Sequence, residues 1–134
     1  MENVNDIPMP LALLCCDTII TDAATAKKTL VGIFNSVKVS RFPHIIPQFF
    51  VFASITNAEG EIPISVRLCS SDGTEVFNLP GKLPCKTLLD SPEMVFQIQN
   101  LPIREEGVYC LELLAAGNVV AARNITVKLV PLSK

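Results

Sequence analysis

Tryptophan is absent from this 134-residue chain, tyrosine and histidine occur once each, and charged residues make up only 18% of it. A single histidine, His44, excludes multi-histidine metal sites and any mechanism that needs two imidazoles. The five cysteines, Cys15, Cys16, Cys69, Cys85 and Cys110, contain no CxxC pair, so zinc-ribbon and thioredoxin readings fail on spacing. An odd number at irregular intervals is also a poor disulfide framework, and buried free thiols in a reducing compartment are the expectation. A Gly-rich phosphate loop, a Gly-x-Ser-x-Gly elbow and a metalloprotease His pair are all missing. Sparse aromatics give no stacking platform for single-stranded nucleic acid. The formal net charge of −2 argues against nucleic acid or an anionic membrane as the main partner. The acidic N-terminus and the short, proline-led apolar run from Pro8 to Cys16 resemble neither a secretory signal nor a membrane span. A cytoplasmic protein is expected, with residues 1–8 as a flexible N-terminal segment.

What is plentiful is apolar surface. Hydrophobic residues reach 49%, enough for one core in one domain over residues 1–134, with a surplus that favours closure against another copy or another protein. No helix-period stripe of useful length occurs. Short runs rich in β-branched residues alternate with Pro, Gly, Asn and Asp clusters, the all-β pattern. Strands are expected over Leu11–Ile20, Thr29–Val39, Phe49–Thr56, Ile64–Cys69, Thr74–Leu79, Met94–Ile98, Tyr109–Leu114 and Val119–Val130. The first is apolar on both faces at its start, which reads as a central strand. Gly32 in mid-strand signals a bulge or a close backbone approach. Prolines 43 and 47 predict an irregular connection over Arg41–Pro47, and Pro80–Pro92 reads as a long loop. Ser70-Ser71-Asp72-Gly73 is a hairpin turn.

Near the C-terminus, Glu105, Gly107 and Tyr109 resemble the acidic-x-Gly-x-Tyr corner of immunoglobulin-type domains, whose tyrosine hydroxyl returns to upstream backbone. That pattern places a cysteine two residues after the tyrosine, where Leu111 stands here, so the corner speaks for fold alone. Eight or nine strands then predict a single-domain antiparallel β-sandwich, immunoglobulin-like or a related Greek key.

A second resemblance rests on Leu11-Ala12-Leu13-Leu14-Cys15-Cys16-Asp17, Lys28-Thr29-Leu30-Val31-Gly32-Ile33-Phe34, and Phe42-Pro43 with His44 and Pro47. These segments are similar to a bacterial family of small uncharacterised proteins with a Cys-Asp first strand, a Gly-Ile-Phe second strand and a Phe-Pro…His-Pro turn. Ile45 and Ile46 loosen the last element here. The resemblance implies fold and origin and brings no activity.

Four residues are candidates for function: Asp17, Asp22, Arg41 and His44. Asp17 is a carboxylate in a mostly apolar strand, which costs stability unless it is bonded, and Arg41 or a lysine is its expected partner. Asp17, Asp22, Asp72 and Asp90 lack a calcium-loop pattern, and aspartates beside turns are ordinary turn chemistry. His44, set between prolines, suits a hydrogen bond to a turn carbonyl better than a thiol–imidazole dyad. Arg123 interrupts the alternating apolar set of the last strand, as a bulge, an edge position or an interface ion pair would. No catalytic constellation, cofactor motif or metal-ligand set emerges. The preferred reading is a non-enzymatic binding or assembly module acting through a sheet face or edge, with a Lys at Val119 or Ala121 expected to disrupt association. The alternatives are a small enzyme or metal-dependent protein using Asp17, Asp22 and His44, and a structural accessory of a larger assembly.

Overall fold

Alternating residues bounded by turn chemistry give nine strands in the computed structural model, which describes residues 8–89 and 91–131, and there is no helix among the described residues. The strands are β1 (Met9–Thr21), β2 (Lys28–Phe34), β3 (Ser36–Val39), β4 (His44–Thr56), β5 (Gly60–Cys69), β6 (Glu75–Cys85), β7 (Glu93–Ile103), β8 (Gly107–Ala115) and β9 (Asn118–Leu129). They form a sandwich of two sheets, ordered β2-β1-β4-β7 and β3-β9-β8-β5-β6. The segment 1–7 and Asp90 lie outside the described residues, while Pro8, expected in a flexible segment, is buried.

The sandwich is all-β and antiparallel except at one place. The run expected as a single strand over Thr29–Val39 breaks at Asn35: β2 stays in the four-stranded sheet, and β3 passes to the other sheet and pairs in parallel with β9. The Thr126 amide donates to the Asn35 carbonyl across this crossing. Hairpins join β1 to β2, β5 to β6 and β8 to β9, and every other connection changes sheet. The last hairpin turns on Ala116 and Gly117, both at positive φ (51° and 83°), the two-residue geometry whose twist suits antiparallel strands.

Two expectations about proline are corrected. Arg41–Pro47 is not an irregular connection throughout, because β4 already begins at His44 and pairs with β7 from His44↔Ile103 onward. The β1 ladder on the other side of β4 ends at Cys16↔Phe50, so Pro47 stands where no second partner strand needs its amide. Likewise Pro80–Pro92 is not all loop. β6 runs on to Cys85 as an edge strand, with Pro80 opposite Ser65 and Pro84 opposite Glu61. Four residues apart, both prolines point their nitrogens to the same side of the strand, where an open edge tolerates the missing donors.

One hydrophobic cluster fills the space between the sheets. Cys15, Val51, Ala53 and Ile55 from one sheet and Val66, Leu111, Leu113 and Ala115 from the other are fully enclosed. The predicted corner closes the lower end, where the Tyr109 hydroxyl donates to the Glu105 carbonyl at 2.7 Å. Glu106, exposed in the same turn, accepts the Leu129 amide through Oε2 at 3.0 Å. Arg123 shares the inward face with its partner Leu111 and joins the two sheets by donating from Nη1 to the Leu13 carbonyl at 3.3 Å. It is not a bulge, because the one shift in the β8–β9 register falls between Leu113 and Leu114. Its Nε is buried without a hydrogen-bond partner among the described residues.

Candidate interaction surface

The four sequence candidates fall in different places. Asp22 serves its own turn: its carboxylate accepts from the Ala24 amide at 3.2 Å and the Thr25 hydroxyl at 2.7 Å. The Thr25 hydroxyl, then the Ala24 amide, hold that carboxyl below its usual range. Asp17 is exposed, and its side chain covers the backbone of Gly32, which has φ +72°. A Cβ at Gly32 would lie 2.8 Å from Asp17 Cγ, so the close approach expected at this glycine is to a carboxylate. Arg41 is exposed in the β3–β4 connection, and no ion pair joins it to Asp17 among the described residues. His44 opens β4 opposite Ile103. Asp17 lines a shallow groove of about 210 Å³ with Phe34, Ser36, Val37, Ile46, Gln48 and Phe49, and neither Asp22 nor His44 reaches it.

Among the described residues no group of three or more His, Cys, Asp or Glu side chains is arranged to hold a metal ion. A cavity of about 380 Å³ opens beside the tyrosine corner, lined by Ser70, Asp72, Thr74, Glu75, Arg104, Glu105 and Tyr109. Its Asp72 is occupied by the hairpin, accepting from the Ser70 hydroxyl and the Thr74 amide, which together bring its carboxyl down to about 2. Cys15 is chemically quiet, because burial pushes its thiol up to about 12 despite the nearby Arg123 guanidinium.

The distinctive surface is the outer face of the four-stranded sheet. Directly paired antiparallel residues share a face. Leu13 and Cys15 point into the core, so Leu14, Cys16, Thr18 and Ile20 of β1 point out. The register brings Thr29, Val31 and Ile33 of β2 and Phe50 and Phe52 of β4 to the same side, with Val95, Gln97 and Gln99 of β7 beyond. None of these residues is charged, but the same register brings Glu93 of β7 to this side opposite Ser54, and Glu93 pairs with Lys28 of β2 at 3.1 Å. Ile20 is 56% exposed, Ile33 53%, and Val31 and Val95 42% each. Cys16 is fully covered by its neighbours even though it faces outward. Thr18 and Thr29 interrupt the apolar set, and at the β7 side the Gln97 and Gln99 amides donate to Gln48 Oε1 at 2.9 and 3.4 Å.

The outer face of the five-stranded sheet is built differently. There Arg67 Nε meets Glu112 Oε1 at 2.7 Å between neighbouring strands, and Lys82 meets Glu61 at 3.5 Å. Sequence inspection missed this asymmetry. The alternating Ile20, Val31 and Ile33 were visible, but an apolar residue on each side of a strand reads as double burial until the layers are known. The association test placed on Ala121 also shifts. Ala121 faces inward opposite Leu113 and packs on the core, while Val119, beyond the bulge in the β8–β9 ladder, is exposed.

No curated protein matches the sequence. Among solved structures, an immunoglobulin-like protein from Pseudomonas aeruginosa aligns over 94% of this chain and all of its own, at 11% identity and TM-score 0.46. A CARDB domain from Pyrococcus furiosus, solved in complex with di-metal ions, aligns over 91% of this chain and 96% of its own, at 16% identity and TM-score 0.43. The alkylpurine DNA glycosylase AlkC of Pseudomonas fluorescens aligns over 87% of this chain at 8% identity and TM-score 0.48, and this chain spans 30% of that one. The model of a family of unknown function, DUF6941, matches residues 11–128, and the chain belongs to that family.

Proposed function

We propose that this protein is a non-enzymatic assembly module of the cytoplasm that associates with a second copy of itself through the outer face of the four-stranded sheet. The observation that carries this reading is the exposed apolar patch of Ile20, Val31 and Ile33 on the four-stranded sheet, where the Glu93 charge of β7 is matched by Lys28 of β2 at 3.1 Å, against two ion pairs on the other outer face. An apolar patch of this kind can meet its own copy about a two-fold axis without opposing like charges. A face four strands wide and about six residues long covers roughly 19 by 20 Å, on the order of 400 Å². That is about half the footprint of a standard interface, so the association is concentration-dependent rather than obligate. The odd number of cysteines at irregular spacing supports a reducing compartment.

The test is sedimentation velocity from about 1 to 200 μM, a range spanning weak self-association, on the unmodified protein and on Ile33→Lys. Reversible dimer formation that Ile33→Lys abolishes, with an unchanged melting temperature, supports the reading. A monomer across the range, or a dimer indifferent to Ile33→Lys, overturns it.

A further inference from the structure

The opposite face of the sandwich holds a pair of thiols. In the β5–β8 ladder, Cys69 stands directly opposite Cys110, in a register that runs unbroken from Ile64↔Ala115. Directly opposed antiparallel residues put their side chains on one face with Cβ atoms about 4.5–5.5 Å apart. A disulfide spans a Cβ separation of about 3.5–4.5 Å, so a small approach of the two strands suffices. The β5–β6 ladder shifts register between Leu68 and Cys69, which leaves the β5 backbone there less tightly held than in a regular ladder.

Accessibility separates this pair from the other thiols. Cys15, Cys16 and Cys85 are buried, whereas Cys69 and Cys110 are both partly exposed. Nothing in the self-association of the other sheet uses them. We propose that Cys69 and Cys110 form a site of reversible oxidation, at which a peroxide converts the two thiols into a cross-strand disulfide.

The chemistry balances in two steps. The Cys69 thiolate attacks one oxygen of hydrogen peroxide, breaking the O–O bond, releasing hydroxide and leaving a sulfenic acid. The Cys110 sulfur then attacks the sulfenic sulfur, the S–O bond breaks, and the departing hydroxide takes the Cys110 proton as water. Two thiols and one peroxide become one disulfide and two waters, and a small-molecule thiol reverses the change by exchange. Burial first, and then the Glu112 carboxylate, push the Cys110 thiol up, which suits it to the second, resolving role.

The test treats the full-length protein with hydrogen peroxide, alkylates it after denaturation, and maps it by mass spectrometry before and after dithiothreitol. The expected product is a monomeric chain lighter by two hydrogens before alkylation, with a Cys69–Cys110 linked peptide, three alkylated cysteines and full reversal by dithiothreitol. Cys69→Ser should abolish the link and leave Cys110 alkylated. Oxidation that yields sulfinic acid without a link, a bridge between other cysteines, or only chain-to-chain disulfides would overturn the proposal.

Discussion

Replacing Gly32 by alanine probes how β2 is held in place. Gly32 has φ +72°, a left-handed conformation that costs an L-residue about 1–2 kcal/mol. The added methyl also meets the Asp17 carboxyl group, with Cγ 2.8 Å away. Asp17 is exposed and its side chain swings aside, so this contact adds only about 0.5–1 kcal/mol of rotamer strain. The expected loss is about 2 kcal/mol, with the backbone as the larger part. With an unfolding entropy of about 2.1 cal/mol/K per residue, 134 residues give about 0.28 kcal/mol/K, so the melting temperature should fall by about 7 °C. Urea unfolding followed by far-UV circular dichroism should show a lower midpoint at an unchanged slope. The double variant Asp17→Ala/Gly32→Ala separates the two causes: it should recover the carboxylate contact and leave the backbone strain. A Gly32→Ala loss below about 0.5 kcal/mol would refute the left-handed argument. Full recovery in the double variant would show that Asp17 alone sets the cost.

Tyr109→Phe removes the corner hydrogen bond and should cost about 1 kcal/mol in urea unfolding. Burial, and after it the Glu105 charge, raise this phenol above its unfolded value. The stability linked to this buried neutral phenol is therefore complete below the unfolded pKa, about 10, and is lost as pH rises through the higher folded value, so the Phe variant should show a shallower alkaline decline. Asp72 has the opposite sign. Its lowered carboxyl stabilises the fold above the unfolded pKa, and that stabilisation disappears as pH falls through about 2, so Asp72→Asn should be less stable at neutral pH and flatter in acid titration. Ala116→Gly relieves a positive φ in the last hairpin turn and should raise the midpoint by the equivalent of about 0.5 kcal/mol, with no change in association. A lower midpoint would contradict that turn geometry.

Local chemistry explains what the sequence revealed. The tyrosine corner, the Ser70–Gly73 turn and the alternation of β7 depend on neighbours in the chain, and each was readable. Proline tolerance was not readable in the same way. Whether Pro47, Pro80 or Pro84 breaks a strand depends on whether a second strand lies on its nitrogen side, which is a property of the assembled sheet. The four candidate site residues failed to converge for a related reason. Chemical type marked Asp17 and His44 as unusual, but only the register places them on different strands with no bond between them. β1 was correctly expected to be central, yet its apolar outer side faces away from the core.

The parallel pairing of β3 with β9 has a consequence for how the chain comes together. Ser36 pairs with Thr126, so a four-residue ladder must close a span of 90 positions. Closing a flexible loop of that length costs about 4 kcal/mol of chain entropy, more than so short a ladder returns alone. β3 therefore docks only after β9 is already laid down beside β8, and it does so late. On a ribosome, where the chain emerges from its N-terminus, residues 36–39 must wait beside a half-finished sandwich until Thr126 has been made. During that interval, the edge that β9 will cover is open to any other strand in reach.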